Sequence, residues 1–170
     1  MQRRICLSLL ATSTALALPG CGFALRGAPS FAFKTLYSPF PESSVLGAEL
    51  RRSLESGGNV QIITDAKQID KAQVILDVLQ DAREKVVVGL NASGQVREFK
   101  LLMRFQFKLR SAKNTELIPV TEIVQQRDIS FNESAVLAKE TEEALLYREM
   151  QSDIVRQIMR RLATVAADKI

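Results

Sequence analysis

The chain has 170 residues, 46% apolar and 25% charged, which fits one packed domain and leaves little room for a second. It contains neither histidine nor tryptophan, so the side chain that most often moves protons near neutral pH and most often ligates metals is missing. Hydrolase triads and zinc chemistry are disfavoured and no cofactor is expected; a carboxylate-only enzyme stays open. The formal net charge of +4 is partly a property of the first few residues.

Arg3 and Arg4 precede ICLSLLATSTALAL, an uncharged and mostly apolar run that ends at Pro19 and Gly20. A membrane-spanning helix needs about 20 apolar residues. A basic start, a short apolar run and small residues before a cut instead read as a secretory signal over residues 1–20, with a buried core helix as the alternative. Removing Arg3 and Arg4 from the 23 basic residues leaves 21 against 19 acidic ones, a net of +2. No long basic stripe remains, so nucleic acid is not an expected partner.

Residues 18–21, Leu18-Pro19-Gly20-Cys21, resemble the lipobox of bacterial lipoproteins. There the cysteine thiol receives a diacylglyceryl group and the signal is cut before it. The other cysteine, Cys6, lies inside the signal, so Cys21 would have no disulfide partner after the cut. Acylation accounts for it: each buried methylene contributes about 0.8 kcal/mol, and two lipid signals already anchor stably. Gly22 stands where an aspartate typically retains such lipoproteins in the inner membrane, so the resemblance implies the outer membrane, periplasmic side. Residues 21–34 then form the lipidated cysteine and a tether. Its reach is at most about 45 Å, which keeps a single domain, residues 35–170, near the membrane.

TLYSPF reads as a short first strand closed by Pro39 and Pro41. In PESSVLGAELRRSLESGGN, Leu46, Leu50 and Leu54 recur every four residues between polar entry residues and a Gly57-Gly58 stop, which predicts an amphipathic helix. VQIITD and AQVILDVLQDAREKVVVGL read as strands, the second joined by the turn cluster NASGQ (91–95) to REFKLLMRFQFKLR. In that strand Phe99, Leu101, Met103, Phe105, Phe107 and Leu109 share one side, while Lys100, Arg104, Lys108 and Arg110 share the other. After the turn SAKNTEL, IPVTEIVQQRDISF is a further strand. From NESAVLAKETEE to the end the period becomes helical, with Leu146, Met150, Ile154, Ile158, Leu162 and Val165 as the apolar stripe. The order β-α-β-β-β-β-α predicts an α+β two-layer sandwich: two helices on one face of a largely antiparallel four- to five-stranded sheet.

The lipobox running into CGFALRG, the first helix ending in GG, the long hairpin and the last helix entered through NESAVLAKETEE resemble the LptE family of lipopolysaccharide-assembly lipoproteins. The resemblance covers nearly the whole chain and implies a non-enzymatic protein. It would plug and help assemble the LptD β-barrel as a one-to-one complex, and bind lipopolysaccharide during insertion into the outer leaflet. Lys139 would contact lipopolysaccharide, and Arg97 at the foot of the hairpin is a further candidate. Lys100, Arg104 and Lys108 either extend that basic surface or form a solvated sheet face. Candidate barrel contacts are Val86, Val87 and Val88, Ala92, Gln95 and Phe131. The valines are alternatively a buried strand end, and Phe131 alternatively packs between sheet and helix. Two other readings stand beside this one. The first is an accessory lipoprotein of another lipid transporter, or the pilot of a different pore. The second is a hydrolase built on Asp77, Asp81 or Glu84.

Overall fold

The structure, a computed structural model, describes residues 30–58 and 60–170. The signal, Cys21 and most of the tether lie outside the described residues. Strand β1 (Thr35–Tyr37) leads to helix α1 (Val45–Gly58), then β2 (Gln61–Ile63), β3 (Val74–Leu90), β4 (Val96–Ser111), β5 (Glu116–Ser130) and helix α2 (Val136–Leu162). The five strands form one sheet in the order β2-β1-β3-β4-β5.

The sheet is largely antiparallel, as expected, with a short parallel part at one edge. β1 runs parallel to both β2 and β3, whereas β3, β4 and β5 are antiparallel neighbours. The cause is the placement of α1: a helix between two neighbouring strands carries the chain back to the end where it started, so the second strand repeats the direction of the first. β2 leads into a 3-10 turn (Ala66–Lys71), whose entry is capped by Asp65 accepting from the Lys67 amide at 2.9 Å. That turn returns the chain to enter β3 in the same sense. The periodicity gave no sign of it.

Alternation in β4 is carried through in space. Leu101, Met103, Phe105, Phe107 and Leu109 are buried beneath the helices, joined by Leu46, Leu50 and Leu54 of α1 and Met150, Ile154, Ile158 and Leu162 of α2. Each fully buried side chain of this size contributes about 1.5–3 kcal/mol, so the two helical stripes and one strand face account for most of the drive to fold. A smaller cluster, Ile63, Ala72 and Ile75 with Tyr37 and Ile69, forms apart from this core, where the 3-10 turn joins β3. α1 starts at Ser44, whose hydroxyl accepts from the Gly47 amide at 3.0 Å.

α2 ends sooner than the apolar stripe suggests. The Thr164 amide and hydroxyl both donate to the Arg161 carbonyl, at 3.1 and 2.7 Å, tightening the last turn. Val165 still packs on the core from beyond the helix. Between the helices, Gln151 is buried and bridges three elements. Its carbonyl accepts from Arg83 of β3 at 3.0 Å and its amide donates to Glu49 of α1 at 2.9 Å. Glu49 also accepts from Ser152 at 2.6 Å.

Candidate functional site

Where the β3–β4 hairpin passes the start of α2, the helix side of the sheet opens into a hollow of about 300 Å³. Phe99 of β4, Ile129 and Ser130 at the end of β5, Phe131 just beyond it and Val136 at the start of α2 form its wall. Phe131 stands edge-on to Phe99, centroids 5.5 Å apart and planes at 82°, a favourable aromatic arrangement. Phe131 thus occupies the sheet–helix junction, half-buried, and its amide donates to the Arg97 carbonyl at 2.8 Å.

Two lysines reach this wall. Lys139, in the first turns of α2, donates to the Ser130 hydroxyl at 3.0 Å and to Glu142 at 2.8 Å. Lys85 of β3 lies over the Phe99 ring, 4.3 Å from its centroid, and donates to Glu143 at 2.6 Å. A cation over an aromatic face is stabilised by the ring quadrupole. Both carboxylate partners are on the flank of α2 and keep solvent access, so exchanging them for an incoming anion costs little: exposed ion pairs are worth about 0–1 kcal/mol. The hollow therefore presents ammonium groups beside apolar wall, the surface chemistry that suits an anionic amphiphile.

The remaining basic candidates fall into two groups. Arg97 is exposed on β4, where the pairing with β3 is irregular, and it joins none of the ion pairs among the described residues. Lys100, Arg104 and Lys108 are on the helix-free face. There Lys100 faces Asp128 at 3.8 Å, Arg104 faces Glu84 at 3.6 Å and Glu122 at 3.7 Å, and Lys108 faces Asp77 at 3.8 Å. This is a solvated sheet face laced by cross-strand pairs, separated by the sheet itself from the hollow at Lys139. Asp77 also accepts from Arg110 at 2.8 Å, so two of the three carboxylates considered for hydrolysis are held by cations. The third, Asp81, is on the helix side, and burial pushes its carboxyl above its ordinary range.

At the hairpin end, Val86, Val87 and Val88 are 44%, 47% and 46% exposed and Leu90 62%; they are not a buried strand end. The turn beyond is rigidly built. The Asn91 side chain accepts from the Ser93 and Gln95 amides at 3.0 and 2.9 Å and donates to the Gln95 side chain at 2.8 Å. Gly94 has φ +79°, a left-handed conformation that glycine adopts without strain. Ala92 and Gln95 stand exposed on this turn. Lys85 was missed in the sequence: it meets Phe99, whose pairing partner Val87 is two positions further along β3, through the cross-strand pairing, which the alternation of either strand alone does not give.

Comparison with known proteins agrees with this architecture. The sequence profile of LptE, described as lipopolysaccharide-assembly, matches residues 33–162. The LPS-assembly lipoprotein LptE of Yersinia pestis is 29% identical over 178 residues, which span 100% of this chain and 81% of that protein. Among solved structures, lipoprotein B from Nitrosomonas europaea superposes with a TM-score of 0.70 at 33% identity, covering 84% of this chain and 90% of that one. The rare lipoprotein B of Shewanella oneidensis shares the fold, with a TM-score of 0.61 at 24% identity over 76% of this chain and 94% of its own. With its profile matched from the first strand to the last turn of α2, the chain belongs to the LptE family of lipopolysaccharide-assembly lipoproteins.

Proposed function

We propose that this protein is anchored to the periplasmic side of the outer membrane through acylated Cys21, plugs an LptD β-barrel as a one-to-one complex, and binds lipopolysaccharide at the hollow beside Lys139. The observation that carries the reading is the family match along residues 33–162. The hollow supports the ligand: lipopolysaccharide offers phosphates and acyl chains, and Lys139 and Lys85 stand against Phe99 and Phe131. The exposed valines and Leu90 on the hairpin support a protein contact there, because a cluster of large apolar side chains left in water marks an interaction surface. In this reading Lys139 and Arg97 hold phosphates, while Lys100, Arg104 and Lys108 contribute only to the field on the far face.

The test is lipopolysaccharide binding by the full chain carrying both Lys139→Asp and Arg97→Asp. Well-made charge-assisted contacts are worth about 1.5–3 kcal/mol, and exposure discounts them, so binding should weaken by roughly tenfold. The melting temperature should fall only slightly, since Arg97 is exposed and half-buried Lys139 gives up only bonds to the exposed Ser130 and to Glu142. Unaltered binding at low salt removes both residues from the site.

A further inference from the structure

β3 has seventeen residues, but on its β1 side it is paired at only two of them, Val74 and Ile75. After Tyr37 the chain leaves the sheet: the Ser38 amide still donates to the Ile63 carbonyl at 2.9 Å, and Pro39-Phe40-Pro41 then carry it to α1. From Leu76 onward this edge of β3 has no strand partner among the described residues. Where β1 departs, a notch of about 640 Å³ opens between Phe40, Pro41, Val45, Val78, Asp81 and Arg83.

Edge strands that are merely tolerated are blunted by prolines, bulges, inward-pointing charges or a covering helix or loop. The other long edge is treated in this way. β5 contains Pro119, the Thr121 hydroxyl donates to the Pro119 carbonyl at 2.7 Å, and Arg127 donates to the Gln126 carbonyl at 2.8 Å. In β3 the irregularities are at Leu79 and Val88, leaving Gln80–Val87 in uninterrupted register with β4, and the inward cations of this stretch, Arg83 and Lys85, are bonded to the helix side rather than across the edge. Within that stretch one backbone oxygen meets a side chain, the Glu84 carbonyl accepting from the Tyr147 hydroxyl at 3.0 Å. A carbonyl has two lone pairs, so that bond does not close the edge.

Charge says what kind of strand fits. On the helix side of the stretch, Arg83 lies over the Tyr147 ring and donates to Gln151, and Lys85 is paired with Glu143. Asp81, beside the notch, joins no ion pair among the described residues. Both neighbouring cations face partners other than Asp81, which leaves the carboxylate without a cation.

We infer that the free edge of β3 at Gln80–Val87 is a docking site for an extended protein segment, which continues the track of β1 as a sixth strand. Its basic residue pairs with Asp81 and an adjacent apolar side chain fills the notch against Phe40 and Val78. Main-chain hydrogen bonds would hold the segment, and the notch and Asp81 would select it.

The test is amide hydrogen exchange on the full chain in detergent, with a synthetic peptide of alternating valine and threonine carrying one lysine. Exchange of the outward amides between Gln80 and Val87 should slow by roughly tenfold on saturation. The same peptide N-methylated at alternate residues should give no protection. Asp81→Asn should weaken binding by about threefold to fivefold, and Asp81→Lys should be rescued by a peptide with glutamate in place of lysine. Equal protection by the N-methylated peptide, protection of Val120–Ser130 instead, or no protection at millimolar peptide each overturns the inference. So does protection already present without peptide. If it rises with protein concentration the occupant is a second copy, and if it does not the edge is filled from within the chain.

Discussion

Individual residues carry the site, and they differ in how visible they are in the sequence. Lys139 is legible because it stands at the start of a helix in a segment that resembles its family. Lys85 is not, because its meeting with Phe99 depends on the register of the hairpin. Lys100, Arg104 and Lys108 were left between two readings, a basic ligand surface and a solvated sheet face. Their alternation correctly places them on one wet face, but the acids opposite them on β3 and β5 neutralise it, and cross-strand partners cannot be read from one strand alone. Asp81 provides a titration test at this scale. Burial raises its carboxyl above its ordinary 3.8, with the Arg83 charge opposing, so the fold favours the protonated form. A raised acid contributes stability that is full below its unfolded pKa and is lost as pH rises through the folded value. Asp81→Asn removes that loss. The variant should be the more stable protein at about pH 7, with the gap in urea midpoint closing as pH falls toward about 4. A gap that stays constant over that range contradicts a raised carboxyl.

At the scale of elements, the helices and the antiparallel strands were legible because each obeys one period over many residues. β4 alternates from Lys100 to Ser111 and α2 repeats its stripe from Leu146 to Leu162, so local pattern and tertiary burial agree. What escaped was short: the 3-10 turn after β2, the early end of α2, and the parallel direction of β1, which depends on chain tracing rather than on any residue of β1. One close packing contact between elements was also invisible. Gly47 of α1 faces Phe40, and a Cβ added there would come within 2.5 Å of the Phe40 Cβ and 2.7 Å of its Cγ. Alanine is the better helix former by about 1 kcal/mol, but forcing an overlap into a packed core costs about 1–3 kcal/mol. Phe40 is itself buried and stacks 5.9 Å from Phe105, so it has little room to retreat. Gly47→Ala should therefore lower stability by about 1 kcal/mol, read as a reduced urea midpoint with an unchanged slope; an increase would show that Phe40 yields freely.

For the whole molecule, the layout is a sheet with helices on one side, a hairpin whose turn presents exposed apolar residues, and an anchor expected at residue 21. The end of the β3–β4 hairpin carries Val86, Val87, Val88 and Leu90 in the open, with Ala92 and Gln95 on a turn held by Asn91. If this end enters a barrel, photo-crosslinkers at Val88, Ala92 and Gln95 should capture the barrel. One at Arg52, exposed on α1, should do so much less; the reverse pattern would invert the orientation. A tether of at most about 45 Å keeps such a barrel and the anchor in one membrane. The most direct measurement is the mass of the intact particle that carries the full chain after mild detergent extraction of outer membranes. A one-to-one complex with a single LptD-like β-barrel protein is the predicted result. Recovery of the chain alone, or with a partner that is not such a barrel, would contradict the account.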